Sequence, residues 1–375
     1  MIYWFHTLAD VWGPLRVFEY ISVRTAGAGA FSFLMALFIG RPVINALQRL
    51  NIGQNVRDDE VLASHRVKQG TPTMGGVIML LPVALATLLW ARSDSLQVLL
   101  AVSTMLWMGA IGFLDDYRKI VRKQSEGLSA RGKLVLQSVW IVVFLLFLRT
   151  DPVAWGYARQ VMVPFVKSPI LMDIGLIGTF VFVYVVLVGT CNAVNLTDGM
   201  DGLAAGCTNS AAVAYMVMAY VAGRVDFSEY LHVPYIPGAG ELAVFCGALV
   251  GAGLGFLWYN CYPAQVFMGD TGSLALGGAL ASVAILIKQE IALIIVGGIF
   301  FIEALSVLLQ VGRFKLTGKR FFRCAPIHHH FEIITRERFK AAGKEGVPVE
   351  SLVTNRFWIC SIVFAMIGVA TLKIR

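Results

Sequence analysis

The sequence predicts an all-α polytopic integral membrane protein with ten transmembrane helices, organised as a single domain over residues 1–375. Three observations predict it. Of the 375 residues, 57% are hydrophobic and 14% charged, with a mean hydropathy of +0.72, whereas a soluble domain carries about 25% charged residues. The apolar residues gather into runs of roughly 20, the length a helix needs to cross a bilayer core. Lys and Arg concentrate in a few of the loops between those runs. There is no internal repeat, low-complexity tract or linker. Residues 1–17 lack a basic stretch followed by a short apolar core, so the first apolar run reads as an uncleaved anchor.

In order, the predicted spans are 18–40, 73–91, 96–114, 132–149, 170–190, 202–223, 241–259, 273–287, 290–312 and 355–374. The eighth is short, which implies little tilt or a recessed position. Loops 41–72, 115–131 and 313–354 hold 5, 5 and 9 Lys and Arg residues, Lys133 sits at the mouth of the fourth span, and loops 191–201 and 260–272 hold none. The positive-inside rule then places these loops in the cytoplasm and both termini in the periplasm. The net charge of +8 matches that bias and attraction to anionic lipid. The six cysteines are scattered without a C-x-x-C spacing, which argues against a zinc site or a disulfide framework.

Ionisable groups at the rim of membrane helices are costly and so mark function. Here the acids fall on one predicted face. Asp115 and Asp116 end the third span and are followed by Arg118 and Lys119. Helix neighbours point about 100° apart, so one carboxylate suits a metal while the other accepts hydrogen bonds from a lysine or substrate. An interfacial charge pair with Lys119 is the simpler alternative. Next, Asn192, Asn195, Asp198 and Asp201 recur every third residue, with Gly199 and Gly202 permitting close ligand approach. A turn with an Asx cap accounts for one or two of these groups, not four.

Asp270 lies at the start of the eighth span, between Gly269 and Gly272 and after Asn260 and Phe267. It reads either as a helix cap or as part of a phosphate site at a helix N-terminus. Phe267 suits stacking on a base or contact with lipid. His328, His329 and His330 are three consecutive imidazoles that cannot all face one metal. They suit donation to phosphate or sugar oxygens better than zinc binding. Lys68, in a run ending Thr71-Pro72-Thr73-Met74-Gly75-Gly76, could cover a bound anion. Carboxylates, lysines (Lys119, Lys123, Lys133) and a hard cation such as Mg²⁺ suit phosphoryl transfer. A site at helix ends, open to lipid, suits a substrate with a hydrocarbon tail and a charged head.

These motifs, in this order, resemble the bacterial phospho-N-acetylmuramoyl-pentapeptide transferases of the polyprenyl-phosphate N-acetylhexosamine-1-phosphate transferase superfamily. The resemblance runs from about Gly53 to the last span. The runs Gly70 to Gly76 and Pro326 to Glu332 are specific to the muramoyl branch. The acidic motifs are shared more widely. The resemblance implies transfer from UDP-N-acetylmuramoyl-pentapeptide to undecaprenyl phosphate, giving lipid I and UMP for peptidoglycan synthesis. It implies Mg²⁺, a cytoplasmic active site in the bacterial inner membrane among membrane lipid, commonly a homodimer, and no nucleic acid.

By motif, Asp270 and Asp115 would hold the metal, and Asp115 and Asp116 would serve the lipid phosphate. Asp198 would be the base or nucleophile, roles in dispute, although a phosphate acceptor that is already anionic favours an orienting role over covalent catalysis. Asn192, Asn195, Lys119, Lys133 and His328 to His330 would hold the diphosphate and sugar. Lys68, Asp201, Asn260, Phe267 and Gln310 would surround the uridine. The stretch from Ile333 to Thr354 is longer and more charged than the family pattern. A sister transferase using UDP-N-acetylglucosamine would share the acids. A cation-coupled transporter would instead place its acids near the midplane of repeated, broken helices.

Overall fold

A computed structural model describes residues 1–50, 70–122, 127–344 and 346–374; Lys68 and Lys123 lie outside the described residues. Within these residues the chain is helical, with no strand. Two 3₁₀ turns lead into α1 (Ile21–Arg49), α2 (Val77–Trp90), α3 (Leu96–Arg122) and α4 (Ala130–Leu148). A short α5 (Pro152–Ala158) precedes α6 (Gly175–Thr197), α7 (Leu203–Ala222) and α8 (Val225–Leu231). Then come α9 (Leu242–Asn260), α10 (Gly269–Leu286), α11 (Leu293–Val296), α12 (Gly298–Thr317), α13 (Ile327–Ala341) and α14 (Val349–Ala370).

Among the described residues, eight helices are long and apolar enough to cross a membrane: α1, α3, α4, α6, α7, α9 with its leading turn, α10 and α14. Two of the ten predicted spans differ. The span at 73–91 yields a helix of 14 residues, about 21 Å long at 1.5 Å per residue, because residues before Val77 are drawn into pairing with the start of α10. The span at 290–312 breaks at Gly297 into α11 and α12. There α12 also carries Glu303 inside it and Arg313 and Lys315 near its end. Several boundaries move past the predicted ones, among them three that bear on the site or its neighbours. α3 continues through Asp115 and Asp116, α6 continues through Asn192 and Asn195, and α1 extends to Arg49.

The layers follow from side-chain size. α10 is rich in Gly, Ala and Ser and is 89% buried over its apolar window, against 22% for α1 and 28% for α14. Small side chains let backbones approach in lipid, where dispersion rather than water exclusion drives helix association. α10 therefore sits centrally, packed on α3 and α6, while α9 packs on α1 and α7. The larger apolar side chains of α1, α4 and α14 point outward, among them Phe38, Leu146 and Met366.

At the bundle end where α3 begins, Arg24 of α1 donates two hydrogen bonds to Glu241, at 2.5 and 2.7 Å. The Arg92 N–H, just after α2, donates to the same carboxylate at 2.9 Å. Both charged side chains are buried. The pair ties the start of α1, the end of α2 and the start of α9 together at one end of the bundle. Removing one partner of a buried pair leaves an uncompensated charge and costs about 3–5 kcal/mol. Arg24→Met and Glu241→Gln should each lower the melting temperature in detergent. The double variant should recover part of that loss, as thermal unfolding would report.

Candidate active site

The extension of α3 places Asp115, Asp116 and Lys119 on helical rather than loop backbone, and the two acids diverge as helix neighbours must. Asp115 meets Lys119 Nζ at 2.6 Å and Lys133 Nζ at 3.0 Å, and accepts the Leu128 N–H at 2.7 Å. Asp116 turns toward α10. It accepts the Thr271 N–H at 2.9 Å, the Thr271 hydroxyl at 2.8 Å and the Asp270 N–H at 3.3 Å. The first amides of a helix have no partner within it. Asp116 satisfies two of them from another helix, as a side-chain cap would.

That arrangement leaves these amides neither to a cap by Asp270 nor free for a phosphate, the two sequence readings of this helix start. With the amides already satisfied, its carboxylate faces the cluster. Asp270 Oδ2 lies 2.6 Å from Lys133 Nζ and 3.4 Å from Lys119 Nζ. Its Oδ1 accepts from Asn195 Nδ2 at 2.9 Å, and the same amide donates to Ser273 Oγ at 2.8 Å. Asp115, Asp116 and Asp270 each offer an oxygen within 4.8 Å of the others.

Such proximity needs close backbones. A Cβ on Gly112 would fall 2.0 Å from the Asp270 carbonyl oxygen, so only glycine lets α3 and α10 touch there. Gly269 has φ +72°, and its missing Cβ would strike Asp116 Oδ2. The segment before α2 braces this start: Gly75 and Gly76 N–H donate to the carbonyls of Phe267 and Met268, at 2.8 and 3.0 Å.

Three carboxylates face two ammonium groups, so the cluster keeps an uncompensated negative charge. Its oxygens are hard donors, and ligands opposite one another on an octahedral Mg²⁺ lie about 4.2 Å apart at 2.1 Å bond lengths. The 4.8 Å grouping is within a small rotamer adjustment of that geometry, so these residues fit a hard divalent cation. Lys119 and Lys133 now hold the positions from which they could turn to phosphate.

The other predicted residues divide. Asn192 is exposed and donates to Val188 O on its own helix. Asp198 ends α6, half-buried and outside the three-acid group. Asp201 and Asn260 latch two loops together: Asp201 Oδ2 accepts the Ala264 N–H at 3.0 Å, and Asn260 Oδ1 accepts the Gly202 N–H at 3.0 Å. Phe267 is half-buried beside this latch. Gln310 accepts the Phe321 and Phe322 N–H groups at 2.9 and 2.8 Å, tying down the turn after α12.

The histidines open α13 against Gly199. His328 is buried with Nδ1 3.1 Å from Glu303 Oε2, and burial pushes its imidazole pKa down while Glu303 opposes that shift. His329 Nδ1 lies 3.2 Å from Glu332 Oε2, and Glu332 also binds Arg336 at 2.6 Å. His330 Nδ1 accepts the Arg323 N–H at 3.3 Å. A cavity of about 420 Å³ opens nearby, its lining including Asp201, Tyr262, Arg336, Lys340, Lys344 and Glu350.

Sequence reading missed Glu303 and Glu350. Glu303 interrupts the run Ile299 to Leu309, and the rule that singled out the aspartates applies equally to it. Glu350, which accepts the Asp201 N–H at 2.9 Å, falls in a charged stretch and gives no such signal.

Comparison with known proteins is consistent along the chain. The family model described as Glycosyl transferase family 4 matches residues 98–288. The phospho-N-acetylmuramoyl-pentapeptide-transferase signature 1 matches residues 68–80. A phospho-N-acetylmuramoyl-pentapeptide-transferase from Methylacidiphilum infernorum is 48% identical over 379 residues, covering 100% of both chains. One from Desulfotalea psychrophila is 50% identical over 376 residues, covering 100% of this chain and 99% of its own.

Gly112→Ala should separate α3 from α10, since overpacking costs about 1–3 kcal/mol and the obstacle is backbone. A lower melting temperature together with weaker Mn²⁺ binding, read by electron paramagnetic resonance titration, is the expected pair of results.

Proposed function

The chain belongs to the phospho-N-acetylmuramoyl-pentapeptide-transferase family, and from that premise we infer that it transfers phospho-N-acetylmuramoyl-pentapeptide from its UDP-linked donor to undecaprenyl phosphate. The products are lipid I and UMP, and the enzyme works in the bacterial inner membrane. The observation that carries the mechanism is the convergence of Asp115, Asp116 and Asp270 with Lys119 and Lys133.

In the reaction, an oxygen of the lipid phosphate attacks the phosphorus that bears the sugar. The bond from that phosphorus to the UMP phosphate breaks, and UMP leaves with the electron pair. A phosphate monoester is largely dianionic at neutral pH, with a second pKa near ~6, so a general base has little to do. Mg²⁺ held by Asp270 and Asp115 would supply charge neutralisation on the diphosphate.

The chain's own groups do the rest. Lys119 and Lys133 exchange carboxylate partners for diphosphate oxygens, a transfer between anions that leaves no buried ammonium unpaired. Asp116 keeps the start of α10 in place. Asp198 orients the lipid phosphate rather than forming a covalent intermediate. Asn192, Asn195, His329 and His330 serve the diphosphate and sugar, and His328 acts from its buried position. Asp201, Asn260, Phe267 and Gln310, with Lys68, shape the uridine site.

The cavity that Asp201 lines is within the usual size of a ligand pocket. Its Lys340 and Lys344 suit the anionic UDP-linked donor. The proposal also includes ten spans, with α2 and the α11–α12 unit completing the eight, both termini periplasmic, a single domain and a homodimer.

Detergent-purified protein should release UMP from UDP-N-acetylmuramoyl-pentapeptide only with undecaprenyl phosphate present, and chelation by EDTA should stop it. Turnover of UDP-N-acetylglucosamine alone would assign the sister reaction. Asp270→Asn and Asp115→Asn should each lower kcat by about 100-fold or more, the scale of losing a charge-stabilising group, while membrane insertion persists. Lys340→Ala with Lys344→Ala should raise KM for the UDP-linked donor and leave KM for undecaprenyl phosphate unchanged, as initial rates varied in each substrate would report.

A further inference from the structure

Glu303 is the only acid within α12, and its surroundings are unusual. Its side chain and that of His328 are both 0% exposed. Nδ1 of His328 lies 3.1 Å from Glu303 Oε2, an ion-pair contact just outside hydrogen-bond geometry, and neither carboxylate oxygen nor either ring nitrogen has a hydrogen-bond partner among the described residues. The opposite edge of the ring is occupied by backbone. A Cβ on Gly199 would lie 2.3 Å from His328 Nε2, and 3.3 Å from His329 Nε2. A continuous line of contact therefore runs from the middle of α12, through the first turn of α13, to the residue that follows Asp198.

Packing alone does not account for this line. A leucine at 303 would fill similar volume without desolvating a carboxylate. What a carboxylate adds is direction: it fixes which ring nitrogen carries the proton and how the ring is turned, as carboxylate partners of metal-bound histidines do. Glu303 also lies on a different helix from both groups it controls, so it locks α12, α13 and the α6–α7 turn into one arrangement.

We propose that Glu303 is a positioning residue for the transfer reaction, accepting the Nδ1–H of His328 so that the Nε2 edge of the ring braces the Asp198–Gly199 turn. The proposal rests on the transferase reading for its kinetic consequence, but its structural content does not. Asp198 is held in register with Asn195, one turn earlier on α6, and Asn195 in turn holds Asp270. Loss of the brace lets the turn relax and lowers the chemical step more than substrate binding.

The test uses the full-length protein with Glu303→Gln, Glu303→Leu, His328→Leu and the Glu303→Leu/His328→Leu double variant. Glu303→Leu should lower kcat by about 10- to 100-fold, the scale of losing a partner that orients a site ligand, with KM for both substrates within about twofold. Glu303→Gln should keep most of the activity, because its amide oxygen accepts the same N–H. The double variant should be no slower than His328→Leu alone, since residues acting as a unit are not additive. Wild-type kcat in Glu303→Leu, or losses that multiply in the double variant, would overturn the proposal. So would a kcat loss in Glu303→Leu that Glu303→Gln shares in full.

A second measurement is independent of turnover. In protein labelled with ¹⁵N-histidine, His328 should show the Nδ1-protonated tautomer, and Glu303→Leu should abolish that preference. An Nε2-protonated His328 in the wild type would refute the brace even if the enzyme transfers as inferred. A wild type that releases no UMP would instead remove the transferase reading and leave the tautomer result standing.

Discussion

The site depends on a carboxylate of one helix capping another. At the start of a membrane helix, free amides away from water are expensive, and α10 begins inside the bundle rather than in a wet loop. Asp116 reaches over from α3 and accepts from the amides of Asp270 and Thr271. Without it, Asp270 would be drawn into capping its own helix and lost to the cluster. Gly112 and Gly269 permit the approach, and the Gly75–Gly76 amides hold the loop that feeds it. One contact thus fixes the register of two helices and frees a carboxylate for chemistry.

The charge arrangement follows from that geometry. Three acids brought within one ligand sphere repel one another, and the low dielectric of the bundle magnifies the effect. Lys119 comes from the same helix as two of the acids, and Lys133 from the next. Together they offset most of the repulsion while leaving a deficit that a divalent cation would remove. Long lysine stems can redirect their heads without moving backbone. On the proposed mechanism the same two groups serve both the resting cluster and an incoming diphosphate.

The surrounding loops are held by polar side chains bonded to backbone as well as by apolar residues such as Met200, Val266 and Met268 packed into the core. Asp201 and Asn260 join the α6–α7 and α9–α10 turns, Glu350 ties α14 to the former, and Gln310 closes the turn after α12. Residues that looked like ligand contacts in the sequence are, in the fold, also the fasteners of the pocket wall. Sequence spacing cannot separate these roles, because an asparagine that binds a ligand and one that binds a neighbouring amide carry the same side chain.

What the sequence determined by itself was local. Hydropathy marked the apolar runs, the muramoyl-type motifs marked the family, and charged residues at helix ends marked Asp115, Asp116 and Asp270 before any of them had partners. The division of labour was decided only by tertiary structure. Asp116 meets Thr271 across 155 positions of chain, and Asn195 meets Asp270 across 75. The break at Gly297 and the buried Glu303–His328 pair likewise depend on how α12 lies against α6, α13 and α14. Periodicity and composition report what a segment can bury, but which acid caps, which one faces the lysines and which one meets a histidine depends on what lies opposite. That is set by helix packing rather than by any residue's own neighbours in the chain.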